Sequence, residues 1–430
     1  MHNTRNKINQ FLKDLFPLHR SLAGEENRAT LKYIKKFIPI KIVEIPSNKK
    51  VFDWRVPYEW SIEEGIIRDN YDKELINLKN NNLHVISYSK SVDLRLNWSR
   101  LKKKLHKHPK LKKAIPYRTS YYKKDWGFCV NSSQYNKIRS SKGPYKIKIK
   151  SAFKKGSMSI GELLIKGKSK KEILISTYIC HPSMANDNLS GVVLTSFLSK
   201  FLLSKKRKWS YRILFIPETI GAISYLNQNK DIMSKIDCGL NISTVGGPGK
   251  FGYKETFDKN HYLNTLIDNL FNEKKIKYKK YSFDINGSDE RQYSSPGFRI
   301  NIGAITKDKY YEYPYYHSSL DNLNYVKAKN LKKTLDIYYS VIEKLEKREV
   351  YLSNIDVEAF LTKHNLFKKI GGSFLKKNSL SEVEIINWII FLCDGKNSID
   401  EISNIINIST KTLKKLIKKL VSKKIIFKYV

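Results

Sequence analysis

The residues with the most evident chemistry lie between positions 179 and 191, reading Ile-Cys-His-Pro-Ser-Met-Ala-Asn-Asp-Asn-Leu-Ser-Gly. A histidine, His181, and a carboxylate, Asp187, brought close by a tight loop are the usual ingredients of a zinc site. The apolar run at 173–178 reads as a buried strand, and the run at 192–203 is long enough for a helix. The loop therefore sits at the C-terminal end of a strand, the edge where open α/β sheets build their sites. Three later segments add functional groups. Phe215-Ile216-Pro217-Glu218-Thr219-Ile220-Gly221 places Glu218 just past a second strand-like run. A carboxylate there can serve as general base to a water activated by a metal, or it can satisfy a helix N-terminus. Gly287-Ser288-Asp289-Glu290-Arg291-Gln292-Tyr293 is a polar loop in which Arg291 suits a bidentate clamp on a substrate carboxylate; a surface ion pair is the alternative. In Tyr315-Tyr316-His317-Ser318-Ser319-Leu320-Asp321, His317 suits a metal ligand oriented by polar neighbours such as Asp321.

Other elements must hold these loops in place. Between 145 and 347, strand-like runs (145–151, 173–178, 211–216, 240–245, 299–306) alternate with helical patterns (192–203, 222–229, 262–272, 328–347). That alternation predicts an α/β fold with a mixed or parallel sheet flanked by helices. Residues 1–40 read as helices with Phe11, Leu12, Leu15, Phe16 and Leu18 on one apolar face, and Arg20 reads as a surface charge. Residues 41–144 change to short strands rich in Pro and aromatics, among them Trp54, Trp60, Tyr117, Tyr121, Tyr122 and Trp126. They predict a small β-rich domain. His106 and His108 lie in a Lys-rich run, a poor setting for a metal cation.

Beyond residue 350 the pattern becomes three short helices, at 381–392, 400–406 and 410–420, and a terminal strand at 425–430. This reads as a winged helix. Its last helix carries Lys411, Lys414, Lys415, Lys418 and Lys419 but no Arg, Asn or Gln to read bases. Contact with nucleic-acid phosphates is open to it, and a solvated basic face of a protein-binding module is the favoured reading.

With 430 residues the chain exceeds one ordinary core. At 41% hydrophobic and 28% charged residues its composition is that of a soluble globular protein. The net charge of +41 invites a polyanionic partner. However, lysines are spread along the whole chain together with Asn, Ile and Tyr, as an AT-rich genome produces, so the charge names no partner. No apolar run reaches the ~18 residues of a membrane span, and the N-terminus lacks a signal core. Four scattered cysteines without a CxxC pair suit a reducing, cytoplasmic setting. The composition leaves an oligomer open.

The order and spacing of the chemical segments resemble the zinc aminopeptidases of the bacterial leucyl aminopeptidase type. In that resemblance His181 is the first ligand and Asp187, three residues before Ser190-Gly191, is the bridging carboxylate. Glu218 is the general base, His317 the last ligand, and Ser288-Asp289 a loop near the substrate. Two positions depart. Thr219 replaces the second Glu of a Glu-Glu-x-Gly motif, and Ser243 stands where the family has a ligand Asp. Each change removes one protein ligand, which implies one zinc rather than two, held by His181, Asp187 and His317.

A narrower resemblance covers nearly the whole chain. Phe52-Asp53-Trp54, Pro116-Tyr117, Thr119-Ser120-Tyr121-Tyr122, Trp126-Gly127-Phe128-Cys129, Cys180-His181-Pro182-Ser183-Met184-Ala185-Asn186, Pro217-Glu218-Thr219-Ile220-Gly221, Ser288-Asp289-Glu290-Arg291-Gln292 and Ser319-Leu320-Asp321-Asn322 are similar to bacterial aminopeptidase-like proteins of unknown function. It implies a catalytic domain from 1–45 and 150–348, an inserted lid at 46–149 and a winged helix at 352–430. The function implied is zinc-dependent hydrolysis of an amide in a peptide or other small substrate, with Asp289 and Arg291 positioning that substrate. A non-catalytic ligand sensor coupled to a winged helix is the alternative.

Overall fold

Apolar, β-branched runs in the middle of the chain build an eight-stranded sheet. The computed structural model describes residues 2–367 and 380–429, and contacts divide the chain into two units, Met1–Val341 and Ile342–Val430. In the first unit the strand order is Lys41–Pro46, Ser157–Ile165, Ser210–Ile216, Glu172–Tyr178, Ile236–Asn241, Asn301–Lys307, Phe251–Lys254 and Tyr278–Tyr281. Its centre is parallel: Glu172–Tyr178 pairs with Ser210–Ile216 on one side and Ile236–Asn241 on the other, and the latter pairs with Asn301–Lys307. Every residue of Glu172–Tyr178 and Ser210–Ile216 is buried. Both faces of these strands are covered, so their sequences read as continuous apolar runs rather than alternations. The helix Ser190–Leu203 is apolar nearly all round because it lies in the interior.

Two strand expectations move. The strand expected at 240–245 runs over Ile236–Asn241 instead. The chain leaves the sheet after Asn241, with the Ile242 amide donating to Ser176 O at 2.8 Å and Thr244 turning through φ 50°. Ser243 is thereby a loop residue. Tyr145–Lys154 lies outside the large sheet: it pairs with Glu59–Arg68 and Val92–Leu96 in a four-stranded antiparallel sheet. That small sheet has its own core, including Ile67, Leu101, Phe128, Ile138 and Ile147.

Arg20 is not at the surface. It is 1% exposed, and its Nε donates to His181 O at 3.1 Å while Nη1 donates to Leu15 O. The buried guanidinium thus ties the end of the first helix to the His181 loop, and the carbonyls it meets offset its desolvation.

The second unit contains helices Glu382–Leu392, Ile399–Ile406 and Thr410–Ser422. Its three-stranded antiparallel sheet is ordered Asp394–Ser398, Val350–Ser353, Ile426–Lys428. Ser381 and Ser398 each start a helix with a reciprocal capping box, to Glu384 and Glu401. Leu413, Leu416, Ile417 and Leu420 of the last helix join a core with Ile386, Ile389 and Ile402. Val430, the last residue of the expected terminal strand, lies outside the described residues. Among the described residues no helix is long and apolar enough to cross a membrane.

Candidate metal centre

Parallel pairing aligns the two strands that carry the principal loops. Tyr178 is in register with Ile216, so His181 and Glu218 leave the same edge of the sheet side by side. His181 Nε2 lies 3.8 Å from Glu218 Oε2. Asp187 returns to this point through the loop that precedes Ser190–Leu203, whose glycine at 191 is obligatory. A Cβ there would come within 2.5 Å of the Ile242 carbonyl. His317 arrives from a loop after the strand Asn301–Lys307, in a left-handed conformation with φ 52°. Its Nε2 lies 3.1 Å from Asp187 Oδ2.

His181, Asp187 and His317 thus present three donor atoms within 4.8 Å of one another. Asp187 is fully buried, and its Oδ1 accepts from Tyr178 Oη. Its Oδ2 faces His317 Nε2 and has no further partner. Burial works against the Asp187 charge, but His181 and His317 outweigh it and hold the carboxyl at about 2. Burial lowers His181 to about 4, which keeps its imidazole neutral. An ionised carboxylate, a neutral imidazole and an orphaned buried oxygen facing inward are the donor states a divalent metal requires, so these residues fit zinc. Cys180, His181 and Glu218 form a second cluster of donor atoms. There Cys180 Sγ accepts the Glu218 amide at 3.2 Å, and burial followed by the charge of Glu218 raises the thiol well above its usual range.

Glu218 is half-buried, and Ser288 Oγ donates to its Oε1 at 2.7 Å. Burial, reinforced by Asp187, raises its carboxyl to about 7, within the range of an effective general base at neutral pH. The Ser288 loop is pinned from below. Lys254 Nζ, 2% exposed, donates to Asp284 O, Asn286 O and Glu290 Oε1 at 2.8, 2.8 and 2.9 Å. Asp289 is fully buried: its Oδ1 accepts the Thr219 amide at 2.7 Å and its Oδ2 has no partner. Burial and then Glu218 raise this carboxyl well above the usual range. Arg291 borders the same point, with Nη2 3.3 Å from Thr219 Oγ1. Asp321 does not reach the His317 ring through any hydrogen bond found among the described residues. It holds the other ligand loop, accepting the Asn186 amide at 2.6 Å, the Asp187 amide at 2.9 Å and Tyr313 Oη at 2.8 Å. Burial raises it to about 7 against those hydrogen bonds.

A family model described as a domain of unknown function, DUF4910, matches residues 9–348. The chain belongs to this DUF4910 family. A Clostridium acetobutylicum protein named for polysaccharide biosynthesis and an aminopeptidase-like domain is 38% identical over 401 residues, covering 93% of this chain and 91% of that one. The crystal structure of a candidate peptidase from the same organism superimposes with a TM-score of 0.81 at 36% identity, over 99% of this chain and 97% of that one. BSAP, a zinc aminopeptidase from Bacillus subtilis, superimposes with a TM-score of 0.59 at 12% identity, over 80% and 94% of the two chains. This DUF4910 member therefore has the mixed α/β fold of the aminopeptidase-like proteins.

Two residues that position the site escape sequence reasoning. Tyr178 closes the central strand and orients Asp187, but its only signal is a polar tip at the end of an apolar run. Arg20 supports the His181 carbonyl from far upstream, with no local signal. Tyr117, from the β-rich segment, stands with its ring centroid 5.2 Å from both His181 and His317. Its amide donates to His317 O at 2.8 Å. Thr219 and Ser243, the departures from the zinc-aminopeptidase pattern, bring hydroxyls and no carboxylate; Ser243 Oγ is buried without a partner.

Proposed function

We propose that this DUF4910 member is a zinc-dependent amide hydrolase of the aminopeptidase-like kind, with Glu218 as general base. The observation that carries the reading is the convergence of His181, Asp187 and His317 on one point, with the orphaned Asp187 Oδ2 facing it and Glu218 alongside. Zinc held by these three residues would supply Lewis acidity to the amide carbonyl and lower the pKa of water. One zinc is proposed, since neither Thr219 nor Ser243 offers a carboxylate. Ser288 engages Glu218 Oε1, leaving Oε2, on the His181 side, to take a proton from water and return it to the leaving amine. Asp289, bonded to the Thr219 backbone, holds the turn that carries Glu218; together with Arg291 it forms the substrate-facing loop. Residues 46–149 act as a lid: Tyr117 against the two histidines limits water and bulky groups at the reacting centre. The second unit is proposed as a winged helix, with binding to another protein favoured over nucleic acid.

The decisive variant is Glu218→Gln, which should retain zinc by elemental analysis and lose turnover by about 100-fold or more. A variant as fast as wild type would remove Glu218 from the base role. Substrates to screen are aminoacyl amides and, because the Clostridium relative is named for polysaccharide biosynthesis, amides of amino sugars. The absence of a carboxylate at Thr219 and Ser243 favours a second reading, a ligand sensor without catalysis. A purified protein lacking zinc would decide for the sensor.

A further inference from the structure

Arg291 has an unusual situation for a cation. It is half-buried, its Nε is buried without a hydrogen-bond partner, and its other contacts are long and to neutral oxygens. Nη1 lies 3.4 Å from Ile285 O and Nη2 3.3 Å from Thr219 Oγ1. Among the described residues no carboxylate lies within ion-pair distance. Arg212, also buried in this unit, shows the contrast, because Glu162 and Glu172 both pair with it. A guanidinium has five N–H donors in a planar fork, and a half-buried one without an anion forfeits hydration that it does not recover. Glu218 and Asp289 feel the Arg291 charge, but neither lies within ion-pair distance of it. Glu218 accepts from Ser288, and Asp289 binds the Thr219 amide with its Oδ2 buried away from any partner. Thr219 immediately follows Glu218, so the fork of Arg291 lies next to the reacting centre.

We infer that Arg291 selects a carboxylate-bearing amide, its guanidinium gripping a carboxylate of the substrate close to the scissile bond. The inference rests on the hydrolase reading for the position of that bond. It sets a substrate class: the free charge presented beside Glu218 is positive, whereas reception of a free amine would call for an ionised, accessible carboxylate that this loop does not offer. The carboxylate can belong to an acidic side chain, a peptide C-terminus or an amino-uronic sugar.

The test is calorimetric binding to the zinc-loaded full-length Glu218→Gln protein, which holds probes without turnover. The probes are paired: glycyl-glycine against its C-terminal amide, glycyl-glutamate amide against glycyl-glutamine amide, and N-glycyl galactosaminuronic acid against N-glycyl galactosamine. At least one acid should bind about tenfold or more tightly than its neutral partner, and the pair that does so names the source. Adding Arg291→Gln should erase the preference, and Arg291→Lys should keep part of it, since lysine retains charge but not the fork. Equal binding within all three pairs overturns the inference. So does a preference that persists in Arg291→Gln, which would assign the carboxylate to zinc. If the Glu218→Gln protein cannot be loaded with zinc but the Arg291-dependent preference remains, the carboxylate site stands and the hydrolase reading falls.

Discussion

The loops of the candidate metal centre and the C-terminal helical unit satisfy their polar groups in opposite ways. Around the centre, Asp187 Oδ2, Asp289 Oδ2, Ser243 Oγ, Thr244 Oγ1 and Arg291 Nε are buried without hydrogen-bond partners. Thr219 and Thr244, both β-branched, turn through φ 64° and 50°. Such a conformation is costly for a branched side chain and persists only where the surroundings impose it. In the C-terminal unit positive φ falls at Asn365, Gly395, Asn407 and Lys424, largely residue types that tolerate it. Among its described residues no buried side-chain nitrogen or oxygen lacks a partner. Its helices start on serine caps, and exposed lysines are partly matched, Lys414 by Glu349 and Lys419 by Glu382. The difference separates a region that holds unpaired polar groups and strained turns in its interior from a region that satisfies its own.

The largest expected effect that would break this contrast is at Asp187. Asp187→Asn should lower zinc affinity by more than the about 10–100-fold typical of a supporting partner, with turnover falling below detection. Metal content after dialysis reads it, and a variant that holds zinc like wild type would show that the orphaned Oδ2 has another purpose. Next comes the buried Lys254–Glu290 pair beneath the Ser288 loop. Lys254→Met strands Glu290 without its cation and should cost about 3–5 kcal/mol in chemical denaturation, with slower turnover as Ser288 loses its anchor. A loss below ~1 kcal/mol would show that the loop is held by its other contacts. The smallest effect lies in the self-contained region. Ser398→Ala removes one capping box and should cost about 1 kcal/mol, seen as faster amide exchange within Ile399–Ile406. Zinc content and turnover should not change, and a change in either would deny that the two regions are chemically separate.

Much of the site was legible before the fold. His181 and Glu218 each follow an apolar run that ends abruptly, and a parallel strand buried on both faces leaves that mark. The helix at 328–347 depends on neighbours a few residues away, so its periodicity reveals it. Arg20 was misread because its partners, the His181 and Leu15 carbonyls, are backbone atoms that have no sequence signature. Tyr145–Lys154 was legible as a strand but not as a member of the small sheet, since pairing joins segments far apart in the chain. Asp321 was assigned to the nearer histidine, whereas the fold gives it to the Asp187 loop, distant in sequence.

By itself, then, the sequence determined several central strands and the main helices, which loops carry His181, Asp187, Glu218 and His317, and the three helices of the second unit. These follow from local periodicity and residue chemistry. Only the tertiary structure decided that Asp187 Oδ2 meets nothing but His317, that Ser288 reaches Glu218, and that Arg291 has no carboxylate within ion-pair distance. Those facts depend on distances of a few ångströms between remote segments, and on burial, which alone makes an unpaired oxygen or guanidinium costly enough to call for a ligand.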